Sequence, residues 1–170
     1  MATFVDDLKH KGAGGAKAIV NNEATGGSSD NTFRFTDGLN PVEEITVWVA
    51  DGSGNYNNRK LIKAIKVKWR SSGRESKIGN ETGNFYSFTF HEGDKVESLD
   101  LWTGDRVDRI VLKVKNRSKW EHGGTDTRDG KGGTAHSQEL GNGILLGFYG
   151  SVNNDELVSL GAIFKEASDD

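Results

Sequence analysis

The sequence predicts an all-β protein, and three observations carry that prediction. Its 23 glycines fall between short β-branched and aromatic runs, against a single proline, Pro41, as many strands joined by tight turns require. Several runs alternate apolar and polar residues with a period of two; "VDRIVLKV", residues 107 to 114, is the clearest. No long helical periodicity competes with them. The third observation is an internal repeat, which groups the strands.

The stretches "VEEITVWVADGSGNYNNRKLIKAIKVKW" (42 to 69) and "VESLDLWTGDRVDRIVLKV" (96 to 114) share a valine-glutamate start, a tryptophan, a glycine-containing turn and an alternating strand. Val42 matches Val96, and Trp48 matches Trp102. A more diverged copy is "ILLGFYGSVNNDELVSLGAIF" (144 to 164). Three hairpins of one kind predict three sheets packed around one axis. Further strand pairs, in "FYSFTFHEGD" (85 to 94) and "GTAHSQELGNG" (133 to 143), bring the expectation to roughly a dozen strands.

Aligning the second strands gives three core-facing rows: Lys63, Ile65, Val67, Trp69; Asp108, Ile110, Leu112, Val114; and Val158, Leu160, Ala162, Phe164. Only the first position changes character, from lysine to aspartate to valine. By strict alternation Val107 and Arg109 share the face opposite Asp108. An unpaired carboxylate buried in a sheet costs several kcal/mol, so Asp108 is expected at the strand's mouth, open to solvent. An ion pair with Arg106 or Arg109 is the plain alternative to a binding role there.

A chain of 170 residues fits one domain with a real core. Residues 1 to 20 read as an arm with a first strand near Ala16 to Val20, residues 21 to 165 as the domain, and 166 to 170 as an acidic tail. With 34% apolar and 28% charged residues and a net charge of -3, bulk charge suggests neither disorder nor a nucleic-acid partner. There are no cysteines, hence no disulfides or thiol chemistry. No apolar leader or membrane-length run is visible, so cytoplasmic synthesis is expected, with non-classical release left open. The sequons at Asn80 and Asn116 matter only in an exported chain.

Catalysis finds no support. His10, His91, His122 and His136 lack metal-ligand spacing. "DGSGNYNN" (51 to 58) begins like a calcium loop, yet Tyr56 replaces the glycine at position six and Ile62 the glutamate at position twelve, so it is expected to be a long hairpin loop. "GAGGAK" (12 to 17) lacks phosphate-loop spacing. No catalytic residue, metal or cofactor is expected.

The segments "VLKVKNRSKWEHGG", "KGGTAHSQELGNGILLGFYGS" and "DELVSLGAIF", with "ETGNFYSFTFHEGDKVESLDLWTG", resemble the jacalin-related lectins over about residues 25 to 164. The resemblance implies a β-prism of three Greek-key antiparallel sheets with pseudo-threefold symmetry, and carbohydrate binding without catalysis. In that family a sugar sits between a Gly-Gly loop and a G-x-x-x-D loop. Glycines let backbone amides approach sugar hydroxyls, and the aspartate accepts two hydroxyl bonds.

Gly26 and Gly27 match the first half of the family's usual site. Val158 stands where the aspartate belongs, so this site is either lost or rebuilt from Asn153, Asn154 and Asp155. The missing motif reappears as Gly104, Asp105, Arg106, Val107 and Asp108, and pseudo-symmetry pairs it with Gly123 and Gly124. Lys63, a donor only, marks the third position as no site of this kind. Trp102, Trp120 and Tyr149 offer stacking faces, with packing their expected role. The expectation is therefore a lectin for mannose- or glucose-type glycans or glycoproteins, compatible with a homodimer or larger oligomer. The alternative is a β-prism interaction module without sugar binding.

Overall fold

A computed structural model describes residues 18–124 and 133–167. Most of the expected arm, residues 1–17 including Ala16, and the end of the tail lie outside that range. The described residues form thirteen strands: β1 (Ile19–Asn21), β2 (Thr25–Gly26), β3 (Asn31–Phe35), β4 (Val42–Asp51), β5 (Lys60–Trp69), β6 (Glu75–Gly79), β7 (Asn84–Thr89), β8 (Val96–Thr103), β9 (Val107–Val114), β10 (Trp120–Gly123), β11 (Thr134–Ser137), β12 (Leu145–Val152) and β13 (Leu157–Lys165). The first strand is thus Ile19–Asn21, beginning later than the sequence suggests. No helix among the described residues is long and apolar enough to cross a membrane.

Three antiparallel sheets are each built on one long hairpin, as the repeat anticipates. The first has the order β1-β13-β12-β3, with β2 also on β13; the second is β10-β9-β8-β11; the third is β6-β5-β4-β7. In the third sheet the chain leaves β6 at one edge and returns as β7 at the other, the Greek-key crossing.

The threefold relation is written into the backbone. Each central hairpin carries two register shifts: between Val42 and Glu44 and between Trp48 and Val49 in the third sheet, between Val96 and Ser98 and between Trp102 and Thr103 in the second, and between Leu145 and Gly147 and between Ser151 and Val152 in the first. At the turn end, Trp48 faces Ala64 while Val49 faces Ile62, Trp102 faces Arg109 while Thr103 faces Val107, and Ser151 faces Ser159 while Val152 faces Leu157. Lys63, Asp108 and Val158 are therefore the extra residues of three equivalent β-bulges. This corrects the strict alternation read from the sequence: Val107 and Asp108 are both buried instead of taking opposite faces.

The inward rows meet in one apolar core, with Ile65, Val67 and Trp69 from β5, Ile110, Leu112 and Val114 from β9, and Leu160, Ala162 and Phe164 from β13. Trp69 joins two sheets, since its buried indole Nε1 donates to the Leu146 carbonyl of β12 at 2.9 Å. Leu146 is the extra residue of the other bulge in its hairpin, which leaves its carbonyl turned toward that indole. Trp69→Phe keeps most of the burial and removes this donor. It should lower stability by about 1–3 kcal/mol, read as a lower urea midpoint at unchanged slope. An unchanged midpoint would show that the bond contributes nothing.

Candidate functional site

The three hairpin turns, 52–59, 104–106 and 153–156, gather at one end of the molecule with the glycine turns at Gly26, Gly79 and Gly123. Each bulge residue turns its carbonyl out of the ladder to a glycine turn. The Val158 oxygen accepts from Gly27 N–H at 3.0 Å, that of Asp108 from Gly124 at 2.8 Å, and that of Lys63 from Asn80 at 2.9 Å. The preceding glycines have φ of 131°, 128° and 105° at Gly26, Gly123 and Gly79. A Cβ there would stand 2.3 Å, 2.2 Å and 2.4 Å from the same three carbonyls, so only glycine fits. Gly26 and Gly27 thus lie beside Val158, and Gly123 and Gly124 beside Asp108. The amides of Gly27 and Gly124 are spent on these backbone bonds.

Asp108 is not at an open mouth. Its exposure is 0%, and neither carboxylate oxygen accepts a hydrogen bond. Its ion-pair partner is Arg59, whose Nε lies 3.5 Å from Oδ1, and not Arg106 or Arg109. Gly133 covers it from the other side, where a Cβ would come within 2.7 Å of Oδ2. The bulge is the reason, because it turns the side chain toward the axis instead of letting it follow the strand outward. Burial pushes its pKa up to about 6; Arg59 opposes that rise and Asp105 adds to it.

Sequence reasoning missed Glu156, the carboxylate that organises this end. It is wholly buried and accepts from Ser53 N–H at 3.1 Å, Ser53 Oγ at 2.8 Å, Lys63 Nζ at 3.0 Å and Arg106 Nε at 3.1 Å. Burial alone would raise its pKa, but the bonds from Ser53, Lys63 and Arg106 outweigh it and hold the pKa at about 2. Lys63, at 4% exposure, completes its coordination on the Asp51 carbonyl at 2.9 Å. Lys63 heading an apolar row was the available signal, since a cation there needs an acid nearby. The segment 51–58, expected as a long hairpin loop, connects β4 to β5 and supplies Ser53 and also Tyr56. The guanidinium carbons of Arg59 and Arg106 each lie 4.7 Å from the Tyr56 ring centre, and its hydroxyl donates to Asp105 Oδ2 at 3.2 Å.

Of the other expected site residues, Asn153 is occupied locally. Its Oδ1 accepts from the N–H groups of Asp155 at 2.8 Å and Glu156 at 2.9 Å. Gly104, Asp105, Asn154 and Asp155 are exposed, as are Gly26 and Ser28. Gly27 abuts the 104–106 turn: a Cβ on it would meet the Asp105 carbonyl at 2.4 Å and Val158 Cγ1 at 3.1 Å. Trp120 packs beside Phe88 and His122, and Tyr149 is tied by its hydroxyl to the Asn22 carbonyl at 2.5 Å. Among the described residues no three histidines or carboxylates gather as a metal would require.

The two buried carboxylates respond oppositely to acid. Glu156, lowered from 4.5 to about 2, stabilises the fold above pH 4.5, and that contribution is lost as pH falls toward 2. Asp108, raised from 3.8 to about 6, keeps its proton in the native state where the unfolded chain has released it, so stability falls as pH rises through that window. Asp108→Asn should therefore stabilise the protein at pH 7.5 by about 1–3 kcal/mol, with the difference closing by about pH 4. Thermal melts of both proteins across pH measure this; a gain that ignores pH would contradict it.

A model of the jacalin-like lectin domain matches residues 22–163. Among solved structures, a lamprey immune protein superposes with a TM-score of 0.73 at 24% identity, over 88% of this chain and 45% of that one. The chain thus spans less than half of the lamprey protein. A mannose-binding jacalin-related lectin from Ananas comosus superposes with a TM-score of 0.68 at 16% identity, over 88% of this chain and 99% of that one. For Malaysian banana lectin the values are 0.64 and 15%, over 88% and 99%. No curated protein matches in sequence. The solved structures share the three-sheet fold, and the match over residues 22–163 settles the family: the chain belongs to the jacalin-like lectin domain family.

Proposed function

We propose that this chain binds mannose- or glucose-type glycans, without catalysis, on the hairpin-turn end of its first sheet. The observation that carries the reading is that Asp105, on the turn that abuts Gly27, and Asn154 and Asp155, on the turn that Glu156 ties to Arg106, are all exposed. Val158 cannot accept a hydroxyl bond, but two carboxylates in adjacent turns can. Both turns are fixed from beneath, because Glu156 binds Arg106 in one and follows Asp155 in the other. Acceptors held rigid before binding lose little freedom when a sugar arrives. The mannose-binding Ananas comosus lectin, which shares the fold, favours that sugar class.

Asp108 with Gly123 and Gly124 is the weaker candidate, because its carboxylate is enclosed and the Gly124 amide is already bonded. Charge-assisted hydrogen bonds contribute about 1.5–3 kcal/mol each before desolvation, so single-site affinity is weak. Useful binding to glycoproteins then depends on several sites, as in a homodimer or larger oligomer.

A glycan array with the wild type, Asp155→Ala, Asp105→Ala and Asp108→Asn tests this. Mannose-type glycans should bind, each alanine variant should weaken binding roughly tenfold or more, and Asp108→Asn should leave it intact. Loss in Asp108→Asn alone would return the site to Gly104–Asp108. An array without any binding would favour a protein-interaction module.

A further inference from the structure

On the outer face of the first sheet the pseudo-threefold breaks down, and a cavity of about 360 Å³ opens between the 24–29 segment and β3. Trp48 faces Ala64 on the third sheet and Trp102 faces Arg109 on the second, while the equivalent pair on the first is Ser151 facing Ser159. Two hairpins place a tryptophan over the sheet; the third leaves a hydroxymethyl group and space above it. Residues 22–24 wall that space, because they cross over Gly161, whose Cβ would meet the Asn22 carbonyl at 2.9 Å and Ala24 Cα at 3.0 Å.

The lining gives a charged ligand nothing to pair with. Among the described residues no lysine, histidine, aspartate or glutamate lines the cavity. Arg34 forms part of the wall with its donors withdrawn: Nε and Nη1 are buried, and Nη2 donates to Asn21 Oδ1 at 2.9 Å. An ionised ligand would lose its water without gaining a partner, so the cavity selects a neutral one.

The polar groups on the floor are hydroxyls. Ser151 and Ser159 are 4% and 7% exposed, and their Oγ atoms lie 2.7 Å apart. One of their two protons lies between them; the other is spent on no described residue and can be donated to a ligand acceptor. Thr32 continues the row from Ser151 onto β3 and is exposed, so its hydroxyl can accept in return. Ala24 and the Tyr149 ring, whose hydroxyl is tied to the Asn22 carbonyl, supply apolar wall.

A donor, an acceptor beside it and an apolar wall match a secondary amide that ends in a methyl group. Its carbonyl takes the serine proton, its N–H meets Thr32, and its methyl meets the wall. Sugars carry this group, without charge, as an acetamido substituent. We infer that the cavity is a second carbohydrate site, for an N-acetylated hexosamine residue. Gly27 lines it and also abuts the 104–106 turn, so the site adjoins the turn cluster and rests on the glycan-binding reading for its place in a natural glycan. An oligosaccharide of mannose alone lacks the acetamido group and leaves the cavity empty.

Calorimetric titration of the full chain with N-acetylglucosamine, N-acetylgalactosamine, glucose, galactose and glucosamine tests the inference. At least one N-acetylated sugar should bind roughly tenfold or more tighter than the sugars lacking that group, with amide chemical-shift changes at Thr32, Tyr149 and Ser151. The preference should vanish in Ser151→Trp, which refills the position as in the other hairpins, with melting temperature as the check on folding. N-acetylated sugars binding no tighter than the rest would overturn the site, as would shifts confined to the turns or an undiminished preference in a folded Ser151→Trp. Mannose-type binding on the array without any N-acetyl preference would sink the cavity alone. An N-acetyl preference without mannose-type binding on the array would sink the turn-cluster reading alone.

Discussion

One backbone feature sets the rest of the turn end: the β-bulge repeated at Lys63, Asp108 and Val158. An extra residue in one strand bends the hairpin, turns a carbonyl out of the ladder and swings a side chain toward the axis. The carbonyl is met by the amide of a glycine turn from the same sheet, within 3.0 Å in all three cases. The side chains must then be accommodated where three hairpins converge. That is easy for Val158 and costly for the other two.

The chain answers the two charges differently. Lys63 is matched by Glu156, brought from another hairpin and also bonded by Ser53 and Arg106, which holds the Glu156 carboxyl ionised with its hydrogen bonds satisfied. Such an arrangement recovers little net energy, since desolvation and attraction nearly cancel, but removing one partner would leave the other stranded. It locks the three turns in one relative position. Among the described residues Asp108 is met only by the looser Arg59 contact, and its carboxylate is the less well satisfied of the two.

Much of this was legible in the sequence, and the limits have physical causes. The repeat disclosed three hairpins and their equivalent positions because hydrophobic pattern and tryptophan placement survive divergence. The pairing of Gly26–Gly27 with Val158 came from the resemblance to the jacalin-related lectins, and that of Gly123–Gly124 with Asp108 from carrying it through the pseudo-threefold symmetry. Alternation failed at Asp108 because a bulge changes the count by one without any mark in the local pattern. Glu156 was invisible because its partners, Ser53, Lys63 and Arg106, lie 50 to 103 residues away in sequence. The cavity above Ser151 could have been suspected from the missing tryptophan, but only the crossing of residues 22–24 makes it a pocket.

Symmetric backbone with asymmetric side chains is what lets one prism carry different surfaces. The Asp108 carboxylate at its bulge is withdrawn into the axis, and the proposed binding falls instead to exposed neighbours on turns that Glu156 holds still. Amide chemical-shift mapping during titration with a mannose-type oligosaccharide tests this most directly. Shifts should concentrate at Gly26, Gly27, Asp105, Asn154 and Asp155, with Asp108, Gly123 and Gly124 unmoved. Shifts centred on Asp108, Gly123 and Gly124 would contradict the account.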